Sequence, residues 1–204
     1  ADELRSLGIS SFVFIGQKGD KNIEVIEKSA LGITTRLIAA GKFRRYHGES
    51  WLTRLVDVKT NMLNLRDAWL VTVGTIQAYI ILKKERPDVI FCKGGFVVVP
   101  VGVAARLLRI PYITHDSDMM PGLANRLIAK GAHAHAVVSD EITAYPKHKI
   151  VVTGLPLARE YIERSGADQS VYKTKLGLPP GSVMLFVYAG TQGARAIDTA
   201  LSRS

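Results

Sequence analysis

Residues 87–108 read Pro87-Asp88-Val89-Ile90-Phe91-Cys92-Lys93-Gly94-Gly95-Phe96-Val97-Val98-Val99-Pro100-Val101-Gly102-Val103-Ala104-Ala105-Arg106-Leu107-Leu108. A short β-rich run, Val89–Phe91, meets a pair of glycines, and a run of helical length, Val97–Leu108, follows directly. Strand, glycine turn and helix in that order form the repeating unit of a parallel sheet. Pro100 is tolerable in the first turn of such a helix, where few N–H groups have intrahelical partners.

The same alternation extends in both directions. Further strands are expected at Phe12–Ile15, Thr34–Ile38, Tyr112–Thr114, Ala136–Val138, Ile150–Thr153 and Met184–Tyr188. Helices are expected at Ala1–Leu7, Lys21–Ala30, within Leu52–Glu85, and at Pro121–Ala129, Leu157–Arg164 and Gln192–Leu201. Arg86-Pro87 and Ile110-Pro111 sit where helices give way to strands, because a residue before proline avoids the α region. The fold class is therefore α/β, with a doubly wound, Rossmann-like parallel sheet. The stretch Arg164–Pro180 is the most polar and suits a connection. A helix at Ala1–Leu7 leading straight into a strand, and a strand–turn–helix at the far end, read as most of one domain, residues 1–155, and the opening of a second, residues 156–204.

Composition bounds the function. The chain has 204 residues, 47% hydrophobic, with 27 Lys+Arg against 18 Asp+Glu and a formal charge of +9. That apolar fraction excludes a mainly disordered chain, and the basic excess suggests an anionic partner. Cys92 is the one cysteine. It excludes an intrachain disulfide or a cysteine zinc site and favours a reducing, cytoplasmic setting. The longest uncharged run, Ala68–Leu82, is shorter than the ~20 residues that span a bilayer. It suits a buried or membrane-lying helix.

In doubly wound sheets ligands bind beyond the carboxyl ends of the strands, so the strand-to-helix loops hold the candidate chemistry. Gly94, Gly95 and Phe96 form one such loop, where glycines let backbone N–H groups approach an anion at a helix N-terminus; a plain tight turn is the simpler alternative. Thr114–Arg126 forms another. There His115 with Asp116 and Asp118 suits a base with orienting carboxylates, and Asn125 lies one turn into the next helix. N-capping and a solvated loop are the alternative reading. Asp-Ser-Asp alone is thin evidence for a metal, and the sequence demands neither metal nor cofactor. Gly154-Leu155-Pro156 marks a sharp exit from the sheet. Gly190-Thr191-Gln192-Gly193 makes a phosphate cradle without the spacing of an NAD or ATP motif. Lys42-Phe43-Arg44-Arg45-Tyr46-His47, with Trp51 and Arg54, suits an anionic membrane surface or nucleic acid. His133, His135 and His148 read as structural or surface residues.

Taken together, Lys-Gly-Gly-Phe, His-Asp-Ser-Asp-x-x-Pro-Gly-Leu-Ala-Asn-Arg, Val-Thr-Gly-Leu-Pro and Ala-Gly-Thr-Gln-Gly-Ala-Arg closely resemble the MurG-type glycosyltransferases. The resemblance covers essentially the whole chain and is densest over Pro87–Arg126. It implies a GT-B arrangement, with a nearly complete N-terminal acceptor domain and the start of a C-terminal domain for the UDP-sugar. It also implies inverting transfer of N-acetylglucosamine from UDP-N-acetylglucosamine to an undecaprenyl-linked lipid acceptor. The expected setting is the cytoplasmic face of an anionic membrane, with no nucleic acid partner. By resemblance, Gly94, Gly95 and Phe96 meet the acceptor's diphosphate, with Asp118 and Asn125 beside them. Thr191 and Gln192 belong to the donor loop, and His115 and Asp116 are the catalytic candidates.

Departures qualify that transfer. Asp116 and Asp118 stand where the family has Glu and Asn. Val98 and Val99 replace a usual Ser-Gly. Gly-Leu-Pro-Leu-Ala replaces Gly-Asn-Pro-x-Arg, which leaves Arg159 one place late for a donor-phosphate contact. The family's first glycine-rich loop, with its His, is expected before Ala1. If that His is the base, His115 is an acceptor-site or supporting residue. Two other readings remain open: another GT-B enzyme on a lipid-linked or nucleotide sugar, and a non-catalytic basic module for membrane or nucleic acid.

Overall fold

A computed structural model describes residues 2–29, 32–41, 58–157, 159–164, 166–187, 199–200 and 202. It divides into two compact units, residues 1–156 and 157–204.

The first unit is α/β. In chain order it holds α1 (Asp2–Ser6), β1 (Val13–Gly16), α2 (Lys21–Lys28), β2 (Thr34–Leu37), α3 (Val58–Glu85), β3 (Ile90–Cys92), α4 (Val98–Leu108), β4 (Tyr112–Asp116), α5 (Leu123–Ile128), β5 (Ala134–Val137) and β6 (Ile150–Val152). Short 3-10 turns occupy Ala129–Gly131 and Lys147–Lys149. Every strand pairing is parallel, as the alternation requires. The strands fall into two sheets, β1-β2 and β3-β4-β5-β6. β1 and β3 share no pairing among the described residues, so the parallel strands of the sequence reading form two ladders.

Two strand boundaries move with consequence for the site. β4 runs on to Asp116, so His115 and Asp116 stand on the last rungs of a strand, opposite Ala136 and Val137, and not in the loop beyond. β5 starts at Ala134, which places His135 inside the sheet. His135 is paired on both sides, with Thr114 and Ile150, while His115 and Asp116 are paired on the β5 side, so all three are more rigidly aimed than loop residues would be.

The main core lies between α3, α4 and β3-β4. Ala78 and Leu82 of α3 meet Val98, Val101, Ala104 and Ala105 of α4, with Ile38, Cys92, Tyr112 and Ile128 around them. Each large aliphatic side chain buried this way contributes about 1.5–3 kcal/mol. Val98 and Val99, the departures from the family pattern, are both buried in this helix. Gly74 brings α3 against the backbone of Ala39, whose carbonyl a Cβ would overlap. The adjacent Gln77 Oε1 accepts the Ala39 N–H at 2.7 Å. Gly102 does the same for α4 against α5, since a Cβ would come 2.8 Å from Ile128 Cγ2.

The second unit holds α6 (Arg159–Glu163) and α7 (Gln169–Lys175). The latter corrects the reading of 164–180 as a mere connection. Asp168 caps α7 by accepting the Ser170 N–H at 2.9 Å, and Gly177 follows its last turn at φ +74. Capping residues at both ends define a helix that polarity alone conceals. The strand expected at Met184–Tyr188 does not form among the described residues. Residues 182–187 join no ladder, and Val183 is 99% exposed, because β-propensity makes a strand only when a neighbour supplies the hydrogen bonds. Of the helix expected at Gln192–Leu201, only Thr199 and Ala200 are described, and both are helical.

Candidate active site

The carboxyl edge of the four-stranded sheet collects the candidate residues. β3 ends at Cys92, and the chain turns through Gly94 and Gly95 at φ +115 and +81, a region closed to most side chains. The carbonyls of Gly95 and Phe96 accept from Val98 and Val99 at 3.3 and 3.4 Å and start α4. Among the described residues, no acceptor takes the N–H groups of Gly95, Phe96 or Val97. Three consecutive donors at the mouth of an eleven-residue helix form an electropositive backbone surface.

Across from this turn lies a buried polar network. His115, Asp116 and Asn125 are 3%, 5% and 1% exposed. Asp116 closes β4, and its Oδ1 accepts from the Gly122 N–H and from Asn125 Nδ2, both at 3.0 Å. Its Oδ2 accepts from the Tyr145 hydroxyl at 2.6 Å. Asn125 Nδ2 also donates to the His115 carbonyl at 2.9 Å, which ties α5 to the end of β4. This arrangement fixes the amide's orientation, because a reversed amide would set oxygen against two oxygens. His115 Nε2 donates to the Gly154 carbonyl at 3.3 Å, at the sharp exit from β6, where Gly154 has φ +69. Among the described residues Asn125 Oδ1 and His115 Nδ1 have no hydrogen-bond partner. A Cβ built on Gly94 would lie 3.7 Å from Asn125 Nδ2, so the glycine turn and the network are neighbours.

Tyr145 and His135 extend the network inward. Their rings stack at 3.8 Å and 4°, and the Thr114 hydroxyl meets His135 Nδ1 at 2.7 Å. Burial, and then the bond to Asp116, pushes the Tyr145 hydroxyl far above the ordinary phenol range, so it stays a proton donor. Burial also lowers the His135 pKa, and the Lys149 cation adds to the effect. Cys92, beside the turn, is buried, and its thiol is pushed up to about 12. It is a packing residue and no nucleophile.

Residues 1–137 match the glycosyltransferase family 28 N-terminal domain. The chain belongs to glycosyltransferase family 28. One relative is a UDP-N-acetylglucosamine--N-acetylmuramyl-(pentapeptide) pyrophosphoryl-undecaprenol N-acetylglucosamine transferase of Clostridium botulinum. It is 37% identical over 198 residues, covering 96% of this chain and 50% of the relative. A transferase 2 of the same description from Bacillus cereus is 35% identical over 186 residues, covering 91% of this chain and 48% of the relative. The chain thus spans about half the length of the curated relatives it matches. The crystal structure of MurG from Acinetobacter baumannii superposes with a TM-score of 0.56 at 19% identity, covering 78% of this chain and 40% of that one, and shares its fold.

Within this family 28 chain the structure brings Gly94, Gly95, His115, Asp116 and Asn125 to one edge of one sheet. Phe96 is half-buried at the start of α4. Asp118 is exposed in the bend after β4 and stands outside the buried network. Arg159 begins α6, and its side chain lies outside the described residues, as do Thr191, Gln192 and the basic segment Lys42–His47. His135 departs from the structural-or-surface reading only in its neighbours. It is fully buried and belongs to the support of the candidate site. Tyr145 carries no motif of its own. Its one sequence cue is an aromatic hydroxyl in the connection between β5 and β6.

Proposed function

We propose that this family 28 chain forms the acceptor side of an enzyme that moves N-acetylglucosamine from UDP-N-acetylglucosamine to undecaprenyl-pyrophosphoryl-muramoyl-pentapeptide, the lipid I to lipid II step. The observation that carries this reading is the run of unclaimed N–H groups at Gly95, Phe96 and Val97 beside the His115–Asp116–Asn125 network. Backbone donors at a helix N-terminus suit the diphosphate of such an acceptor, and the names of the relatives supply its class. Residues 1–155 are the acceptor-binding domain and 156–204 the beginning of the UDP-sugar domain, to which Arg159, Thr191 and Gln192 belong. The compact units meeting at Pro156 support that division.

The reaction is an inverting displacement. A base takes the proton of the acceptor hydroxyl, whose oxygen attacks the anomeric carbon. The bond from that carbon to the UDP phosphate oxygen breaks, and UDP carries the charge away. In this chain Asp116 is a positioning residue. All its contacts are internal, and it locks Asn125, which orients the end of β4. His115, held by Gly154, is an acceptor-site or supporting residue whose buried Nδ1 has no partner among the described residues. Preorganised donors aimed where charge sits need no rearrangement during reaction.

The setting we propose is peripheral, at an anionic cytoplasmic membrane face. No helix of the described residues is long and apolar enough to cross a membrane. Met62, Leu65, Trp69, Ile76 and Ile80 are exposed along α3, at spacings that place them on one helical face. That face, beside a basic excess, supports an interfacial helix. The decisive experiment is transfer of labelled sugar from UDP-N-acetylglucosamine to a lipid I analogue by the full-length protein carrying this sequence. Asn125→Ala is expected to reduce the rate at least tenfold while the protein remains folded. No transfer by the folded wild-type protein overturns the reading.

A further inference from the structure

The strands of the four-stranded sheet begin at the edge opposite the candidate active site, and the chain builds a concavity there. A cavity of about 580 Å³ is lined by Arg106, Arg109, His133, His148 and Lys149 over a floor that includes Gly131. His133 and Lys149 immediately precede β5 and β6, and Arg109 lies just before β4. At ~3.3 Å per residue, the five residues of β4 separate this cavity from the carboxyl edge by roughly 15 Å.

No Asp or Glu lines the cavity. Among the described residues neither Arg106 nor Arg109 joins an ion pair, whereas Arg36 pairs with Glu85 at 2.8 Å and Lys28 with Glu24 at 2.6 Å. The cations are also held in place. Lys149 Nζ donates to the Ala132 carbonyl at 2.7 Å. The stem of Arg106 lies against Gly131, where a Cβ would come 3.1 Å from Arg106 Cδ and 2.5 Å from the Tyr112 hydroxyl. Arg109 ends α4 at φ +59. Its N–H donates to the Arg106 carbonyl at 3.2 Å, and the Ile110 N–H donates to the Ala105 carbonyl at 2.9 Å. This is the helix ending in which glycine is favoured. An arginine at that position carries backbone strain, and Arg109 is one of the residues that line the cavity. Three cations and two imidazoles gathered without a counter-charge make a positive surface that favours an anion, and guanidinium groups match phosphate oxygens bidentately.

We propose that this cavity is a binding site for a phosphate-class anion, a free phosphate or pyrophosphate or the phosphate of an anionic lipid headgroup. It lies apart from the sugar-transfer reading and holds whether or not that reading does. The test uses the chain as it stands in two arms at low salt. One arm is calorimetric titration with inorganic phosphate and pyrophosphate; the other is flotation with phosphatidylglycerol vesicles against phosphatidylcholine vesicles. Binding in the first arm identifies a soluble ligand; vesicle binding in the second arm alone identifies a headgroup only when Arg106→Gln with Arg109→Gly weakens it, because α3 offers vesicles a separate face. Arg106→Gln with Arg109→Gly is expected to weaken binding at least tenfold. The Arg109→Gly single variant is expected to melt at or above the wild-type temperature, which separates lost binding from lost folding. Lys18→Gln with Lys175→Gln, exposed residues elsewhere, removes the same charge and is expected to change affinity less than threefold. Equal loss in both double variants, or no binding in either arm, overturns the proposal.

Discussion

Asp116 shows how much a single carboxylate organises at the end of a strand. Three donors converge on it, from Gly122, Asn125 and Tyr145. Hydrogen bonds to a buried charge contribute about 1.5–3 kcal/mol each, so Tyr145→Phe is expected to lower unfolding stability by about that amount, read from urea denaturation. His135 gives the same network a pH dependence. Its folded pKa is lowered from the ordinary 6.5, so the unfolded chain binds its proton first as pH falls. Its contribution is complete above about 6.5 and is lost below that value, down through the folded pKa. The melting temperature should therefore decline below pH 6.5, with a shallower decline in His135→Gln. His115, Asp116 and Asn125 were legible because they sit in motif order in sequence. Tyr145 and His135 were not, since stacking and burial bring together residues that no spacing links.

Elements were legible where hydrophobic pattern and punctuation agreed. The β3–α4–β4 unit follows from Val89–Phe91, the glycine pair and Ile110-Pro111, and the structure forms it. Helix α7 was hidden because its evidence is capping chemistry at Asp168 and Gly177, not an apolar stripe. Residues 182–187 went the other way, with strand-like composition and no ladder partner among the described residues. Helix contacts can be tested directly. Gly102→Ala drives a methyl into Ile128 and is expected to cost about 1–3 kcal/mol by overpacking, measured as a shift in the urea midpoint. Gly95 meets open space, with nothing within 4 Å of a built Cβ, so Gly95→Ala is a purely conformational change. Its expected cost is about 1–2 kcal/mol for the left-handed backbone, with a larger proportional loss of acceptor-analogue binding than of stability.

At the scale of the molecule, the alternation of strands and helices fixed the fold class, and family 28 membership agrees with it. The break between β1 and β3 was not legible, because strand order is set by long-range pairing that local pattern does not encode. The excess of basic residues over acidic ones was read from the start as pointing to anions. The structure concentrates part of that excess around one cavity and leaves an apolar face on α3. Trp69→Glu with Ile76→Glu is therefore expected to release the chain from phosphatidylglycerol vesicles at physiological salt, measured by flotation, without moving its melting temperature by more than a few degrees. Cys92 offers one more use. It is the chain's single thiol, it is 1% exposed, and it is pushed up to about 12, so a thiol-reactive dye meets it only when the sheet edge and α4 part. Its labelling rate is a built-in clock for the opening of the first unit, readable by mass without any engineered probe.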